Sequence, residues 1–272
     1  MKKFNGFSNA AKASGLFADA QTTFYDIMSH RLPKEFDGFK IAQISDIHSR
    51  PCTGICEEIA NFSPDIIAIT GDLVHDDNKS YDAVTRLIAD LVGIAPVYMS
   101  SGNHDVWHVG HSRIFREFCS LGAVLLDEKR AILSKNGAHI ALFGISDPFS
   151  HVNSAICRNV KNSLSALPDF DGYKILLFHR ANLFDLIKDA GFDLVLSGHM
   201  HGGQIQIPHM GGLLAPSSSI ASGSRMIFPK YCSGRFLYDD TTMIVSRGIG
   251  NTLPIPRLFN PPEVCAVTLR KN

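Results

Sequence analysis

Five short polar blocks, each following an apolar run, hold side chains of the kinds that bind divalent cations. They are Asp46-Ile47-His48, Gly71-Asp72, Gly102-Asn103-His104-Asp105, His179 and Gly198-His199-Met200-His201-Gly202. Carboxylate, imidazole and amide oxygen suit borderline to hard ions such as Mn, Fe and Zn, and no thiol belongs to the set. Side chains of an extended chain alternate between faces, so Asp46 and His48 share one, as do His199 and His201. A lone Gly-Asp or a lone histidine means little, but five such blocks in series ask for a common site. An Asp72 carboxylate shared by two ions suits a spacing of about 3.5–4 Å, which clamps a phosphate and activates a water.

The runs before these blocks read as strands at 39–45, 66–70, 96–100, 174–178 and 192–197. Helical periodicity lies between them at 56–62, 81–91, 112–121, 154–167 and 183–190; in 81–91, Val84, Leu87, Ile88 and Leu91 share a face. Short strands at 123–126, 131–133 and 139–144 form a meander-like section, and 242–246 and 264–269 are strand-like. Repeated strand–helix–strand order predicts an α/β domain. In such a sheet the loops at the carboxyl ends of strands converge on one edge, which delivers all five blocks to one place. No linker or repeat divides the chain. Residues 37–272 read as one domain, and 1–36 as a segment packed on it or preceding it. The loop 213–224, rich in Ser with Pro and Gly, is the candidate mobile segment.

Composition sets outer bounds. The chain has 272 residues, 45% hydrophobic and 19% charged, as in a folded globular protein. Lys plus Arg and Asp plus Glu both number 26, so no specific nucleic-acid binding is expected. Six cysteines, with only the Cys52/Cys56 pair closely spaced, are expected to be reduced thiols rather than a disulfide scaffold. No apolar stretch reaches the ~18 residues of a membrane helix, and 4–21 lacks the apolar core of a signal peptide. A cytoplasmic location follows as the expectation. Phe7, Ala11, Leu16, Ala20 and Phe24 form a rough helical stripe, expected to pack on the domain, with peripheral membrane contact as the alternative.

The five blocks resemble the calcineurin-like metallophosphoesterase superfamily, over about residues 37–270. Ser45-Asp46-Ile47-His48-Ser49, the 196–204 stretch, Ser246-Arg247-Gly248-Ile249-Gly250-Asn251, Pro256-Arg257-Leu258-Phe259 and Pro261-Pro262-Glu263 resemble its YkuE/YaeI-like branch of bacterial phosphodiesterases. The resemblance implies a sandwich of two mixed β-sheets flanked by helices. It implies two divalent metal ions, Mn, Fe or Zn: one on Asp46, His48 and His201, one on Asn103, His179 and His199, with Asp72 bridging. It places catalytic His104 by the leaving group, oriented by Asp105, with a metal-bridging hydroxide attacking phosphorus. The implied activity is hydrolysis of a phosphodiester or diphosphate, with a nucleotide- or lipid-linked diphosphate such as UDP-2,3-diacylglucosamine as a candidate. A protein phosphatase and a non-catalytic scaffold are the alternatives; the filled ligand positions argue against the scaffold.

Other residues read more plainly. His75, three residues after Asp72, reads as a loop histidine with substrate contact as the alternative, His108 and His111 beside Trp107 as candidates for the substrate entrance, and His30 and His139 as surface positions. His151 and His209 carry no assignment. Arg180 and Arg247 are candidate phosphate contacts, with ion pairing equally compatible. Gly202-Gly203 is expected to let the chain turn tightly beside the site.

Overall fold

The computed structural model describes residues 20–50, 54–77, 80–150, 152–217, 219, 225–251 and 255–272. In one six-stranded sheet, strands β2 (Lys40–Ile44), β3 (Ile66–Thr70), β4 (Val97–Ser100) and β5 (Val124–Leu125) run parallel. Beyond β2, the last strand β14 (Glu263–Lys271) lies antiparallel to it, and β1 (Gln21–Ser29) pairs parallel with β14 at the edge. The second sheet is ordered β12 (Gly234–Tyr238), β13 (Thr241–Val245), β9 (Leu194–Gly198), β8 (Lys174–Arg180), β7 (Ala138–Gly144), β6 (Lys129–Lys135). Its four central strands are parallel and its two edges antiparallel. β10 (Gln206–Ile207) and β11 (Gly211–Gly212) form a small hairpin.

The two sheets face each other. Ile41, Ile66, Ala68, Ile175, Leu177, Leu194 and Leu196 meet between them. Their strand neighbours Ala42, Ile44, Ile67 and Ile69 face helices α1 (Ile55–Phe62), α2 (Asp82–Val92) and α4 (His111–Ser120). On the far side, Leu176, Phe178 and Val195 face α5 (Asn153–Ala166). Burial on both faces explains why these strands are uninterrupted apolar runs rather than alternating ones. The result is the α/β sandwich of two mixed sheets flanked by helices.

Several expectations change. Phe24 lies in β1, not in a helix, and is 71% exposed; Phe7, Ala11 and Leu16 lie outside the described residues. The run Thr22-Thr23-Phe24-Tyr25 favours extended backbone, and β14 supplies nine register partners from Gln21↔Glu263 to Ser29↔Lys271. The helix expected at 183–190 is instead a 3-10 turn, Ala181–Leu186. The Ile187 N–H bonds back three residues to the Phe184 carbonyl, a tighter winding that puts both side chains on one buried face. Strand β12 and the hairpin were not anticipated. Of the loop 213–224, residues 213–215 pair with 226–228, while 218 and 220–224 lie outside the described residues. Among the described cysteines, Cys56, Cys119, Cys157, Cys232 and Cys265 are free; Cys52 and His151 lie outside that set. No described helix is long and apolar enough to cross a membrane.

Candidate metal centre

All five blocks leave the carboxyl ends of their strands at one edge of the sandwich: Asp46 and His48 after β2, Asp72 after β3, Asn103 after β4, His179 at the end of β8, His199 and His201 after β9. Five of these seven residues adopt left-handed backbone: Asp46 (φ 54°), His48 (52°), Asp72 (54°), His199 (75°) and His201 (48°). Non-glycine residues seldom take this conformation, and it persists where surrounding structure enforces it. Here the enforcing contacts are explicit. The Asp46 N–H bonds to the Gly71 carbonyl and the His48 N–H to the Asp72 carbonyl, each at 3.0 Å. A methyl group on Gly198 would strike the Ser45 hydroxyl and the Asp46 carboxylate, and one on Gly71 the His179 ring. Gly202 (φ 60°) and Gly203 (φ 70°) make the tight turn beside the site.

The seven side chains are buried, and six of them form two triads. In the first, His201 Nε2 lies 3.5 Å and His48 Nε2 3.9 Å from Asp46 Oδ1, and the two imidazole nitrogens are 3.2 Å apart. In the second, His179 Nε2 is 3.1 Å from Asp72 Oδ2 and 3.2 Å from His199 Nδ1. Each triad offers three ligand atoms mutually within 4.8 Å. Asp72 Oδ2 also stands 3.7 Å from His48 Nε2, so one oxygen faces both groups. The other, Oδ1, accepts the His104 backbone N–H at 2.8 Å. The seventh residue, Asn103, has both amide atoms buried without a hydrogen-bond partner. An orphaned buried amide is costly, and an ion is one partner that would satisfy its oxygen.

Surrounding groups fix ring orientation. The His179 Nδ1–H donates to the Thr70 carbonyl at 2.8 Å, which turns Nε2 toward Asp72; there it carries a proton in the metal-free chain and would offer its lone pair to a cation. The buried Arg257 guanidinium holds the Arg247, Gly248 and Gly250 carbonyls and lies 3.1 Å from His201 Nδ1. Burial pushes the His48 and His199 imidazoles well below their ordinary pKa and His201 down to about 4, against the pull of nearby carboxylates. All three are therefore neutral near pH 7, the form that donates to metals. Burial works the same way on His179. There the Asp72 charge and hydrogen bond, with Asp46 and the Thr70 carbonyl, prevail and raise it to about 10.

His104 does not have the partner expected for it. Its Nδ1 lies 2.6 Å from Asp76 Oδ1, whereas Asp105 accepts the Val74 N–H (2.9 Å) and the Gly102 N–H (2.8 Å). Asp105 caps the short helix α3 (Asn103–Trp107) and ties it to the loop after β3. A side chain at the third helical position reaches back to the preceding backbone N–H, so it turns away from the His104 ring. His75 also joins the site: its ring stacks on His104 at 4.5 Å, and its Nδ1 is 3.3 Å from His48 Nδ1. Asp76 stands four residues after Asp72, and the run His75-Asp76-Asp77 was the signal available for both. Arg180 is engaged by buried Asp147, and Arg247 by Glu263 at 3.2 Å. His108 bonds the Gly110 N–H and His111 stacks on Phe115. A cavity of about 170 Å³ lies over the centre, lined by Asp72, His75, Asn103, His104, His199 and His201 among others.

Residues 39–203 match the family model for the calcineurin-like phosphoesterase. The chain belongs to the calcineurin-like phosphoesterase family. Similar relatives include the metallophosphoesterase YkuE of Bacillus subtilis, 28% identical, with 92% of this chain and 85% of YkuE covered. Phosphodiesterase YaeI of Escherichia coli is 27% identical, with 90% and 88% covered. The UDP-2,3-diacylglucosamine pyrophosphatase LpxG of Chlamydia muridarum is 27% identical, with 86% and 85% covered. This phosphoesterase is a metal-dependent phosphoric ester hydrolase of the YkuE/YaeI-like branch, with His/Asp clusters suited to metal ions.

Proposed function

We propose that the phosphoesterase hydrolyses phosphodiesters or diphosphates with two divalent ions, Mn, Fe or Zn. Asp46, His48 and His201 would hold one ion, Asn103, His179 and His199 the other, with Asp72 between them. The observation that carries this reading is the position of Asp72 Oδ2, 3.1 Å from a nitrogen of one triad and 3.7 Å from a nitrogen of the other. When bound, two such ions neutralise the phosphoryl oxygens and activate a water.

The chain's own residues do the rest. The backbone N–H of His104 holds Asp72 Oδ1, leaving Oδ2 to the centre. The His104 Nδ1–H donates to Asp76, so the imidazolium form presents a second N–H at Nε2, and that is the proton it would give the departing oxygen, leaving a neutral ring. In each triad a cation would take the place between nitrogens that lie 3.2 Å apart. A diester leaving group is an alkoxide or phosphate that benefits from a donated proton, and the name of YaeI supports that class. A lipid-linked nucleoside diphosphate such as the substrate named for LpxG is the finer candidate.

Turnover of bis-p-nitrophenyl phosphate, a phosphomonoester and a phosphopeptide, each with added Mn²⁺, tests this. Diester hydrolysis with about two ions per chain is expected. Activity confined to the phosphopeptide would make it a protein phosphatase; metal binding without turnover of any ester would make it a scaffold.

A further inference from the structure

A larger cavity, about 500 Å³, shares the wall residue Met200 with the smaller cavity over the metal centre. Its apolar lining comes from Leu183, Leu186, Met200, Phe228, Pro229 and Tyr231. Met200 lies between His199 and His201 and borders both this cavity and the smaller one over the centre. A second link is the pairing of 213–215 with 226–228. Leu214, which lines the smaller cavity, bridges Ile227, and the Phe228 N–H bonds the Leu213 carbonyl at 2.9 Å. The cavity over the centre and an apolar chamber of ligand-pocket size thus meet at Met200.

The lining favours one kind of arm. Met226 (58% exposed) and Ile227 (53%) extend the apolar surface outward from Phe228. Asp185 at the edge is already engaged by Lys230 at 3.2 Å and the Tyr231 hydroxyl at 2.9 Å. Exposed Arg225 also lines the cavity and forms no ion pair among the described residues. Apolar walls with a cation at the edge match an amphiphile.

We propose that this cavity is the subsite for an acyl or alkyl chain on one arm of the substrate, which makes the substrate class a lipid phosphodiester or diphosphate. The proposal rests on the diester reading above. It is tested with p-nitrophenyl alkyl phosphodiesters from methyl to dodecyl, below their micelle concentrations, and by calorimetry with n-dodecyl phosphate. KM is expected to fall at least about tenfold from methyl to octyl, modest beside the ~fourfold per methylene that full burial would give. Leu186→Trp, which narrows the chamber, and Phe228→Asp, at its outer edge, should each reduce that gain and dodecyl phosphate binding while turning over the methyl diester normally. A KM that ignores chain length overturns the proposal and leaves the diester reading standing. No methyl-diester turnover, with dodecyl phosphate binding that Leu186→Trp weakens, overturns the reaction and keeps the subsite. Tighter binding of uridine monophosphate than of dodecyl phosphate, weakened in the same variants, would make the chamber a nucleoside site and overturn the proposal.

Discussion

His104, in helix α3, and Asp76, in the loop after β3, meet at 2.6 Å, so their partnership is a property of the fold rather than of either motif. The carboxylate keeps the proton on Nδ1 and holds the ring toward His75 and His48, whose centroids lie at 4.5 and 4.9 Å. Two substitutions separate the roles. His104→Ala should retain both ions, by elemental analysis, and lose about 10²–10⁴ in kcat, the usual yield of a positioned proton donor. Asp76→Asn keeps the ring but removes the carboxylate charge that supports the proton-donating imidazolium. It should lower kcat about 10–100-fold with KM and metal content little changed. Equal loss of metal in either variant would show that these residues hold the centre together rather than move a proton.

The elements that carry the site were the legible part of the sequence. β3 and β9 are buried on both faces, so they appear as bare apolar runs; Gly71 follows β3 and Gly198 closes β9, each just before a candidate ligand. The edge strands were harder to see. β1 alternates exposed and half-buried residues and gains its extended form from β14, about 240 residues away, which no local pattern records. The same holds for Asp76: its meeting with His104 depends on the loop after β3 lying beside helix α3. Central packing should govern stability accordingly. Leu196 is fully buried between the sheets and paired with Leu177 and Ile244. Leu196→Ala should destabilise the protein by about 2–5 kcal/mol in denaturant unfolding. Phe24→Ala, on an exposed edge position, should cost far less. A comparable loss at both positions would mean that β1 carries the sandwich as much as β9 does.

At the scale of the molecule, the centre is a concentration of like groups that folding forces together. Without ions, the His179 imidazolium stabilises this cluster by pairing with Asp72. Its folded pKa, about 10, lies above the ordinary 6.5. The native state then binds the proton more tightly than the unfolded chain. That stability is fully present below pH 6.5 and is lost as pH rises toward 10. Asp105, pushed up to about 7 by burial and by Asp72, acts in the same direction at lower pH, while His201, pushed down to about 4, acts oppositely below 6.5. Between about pH 7 and 9, therefore, chelator-treated protein should lose Tm steadily. Loaded with Mn²⁺, it should not, because a cation replaces the imidazolium as partner to Asp72 and His179 must be neutral to donate to it. The same linkage makes loading release at least one proton per chain at pH 8, from His179 and from the activated water, measurable as a buffer-dependent heat in titration calorimetry. Heats independent of the buffer, or identical pH profiles with and without metal, would mean that His179 is already neutral in the metal-free fold.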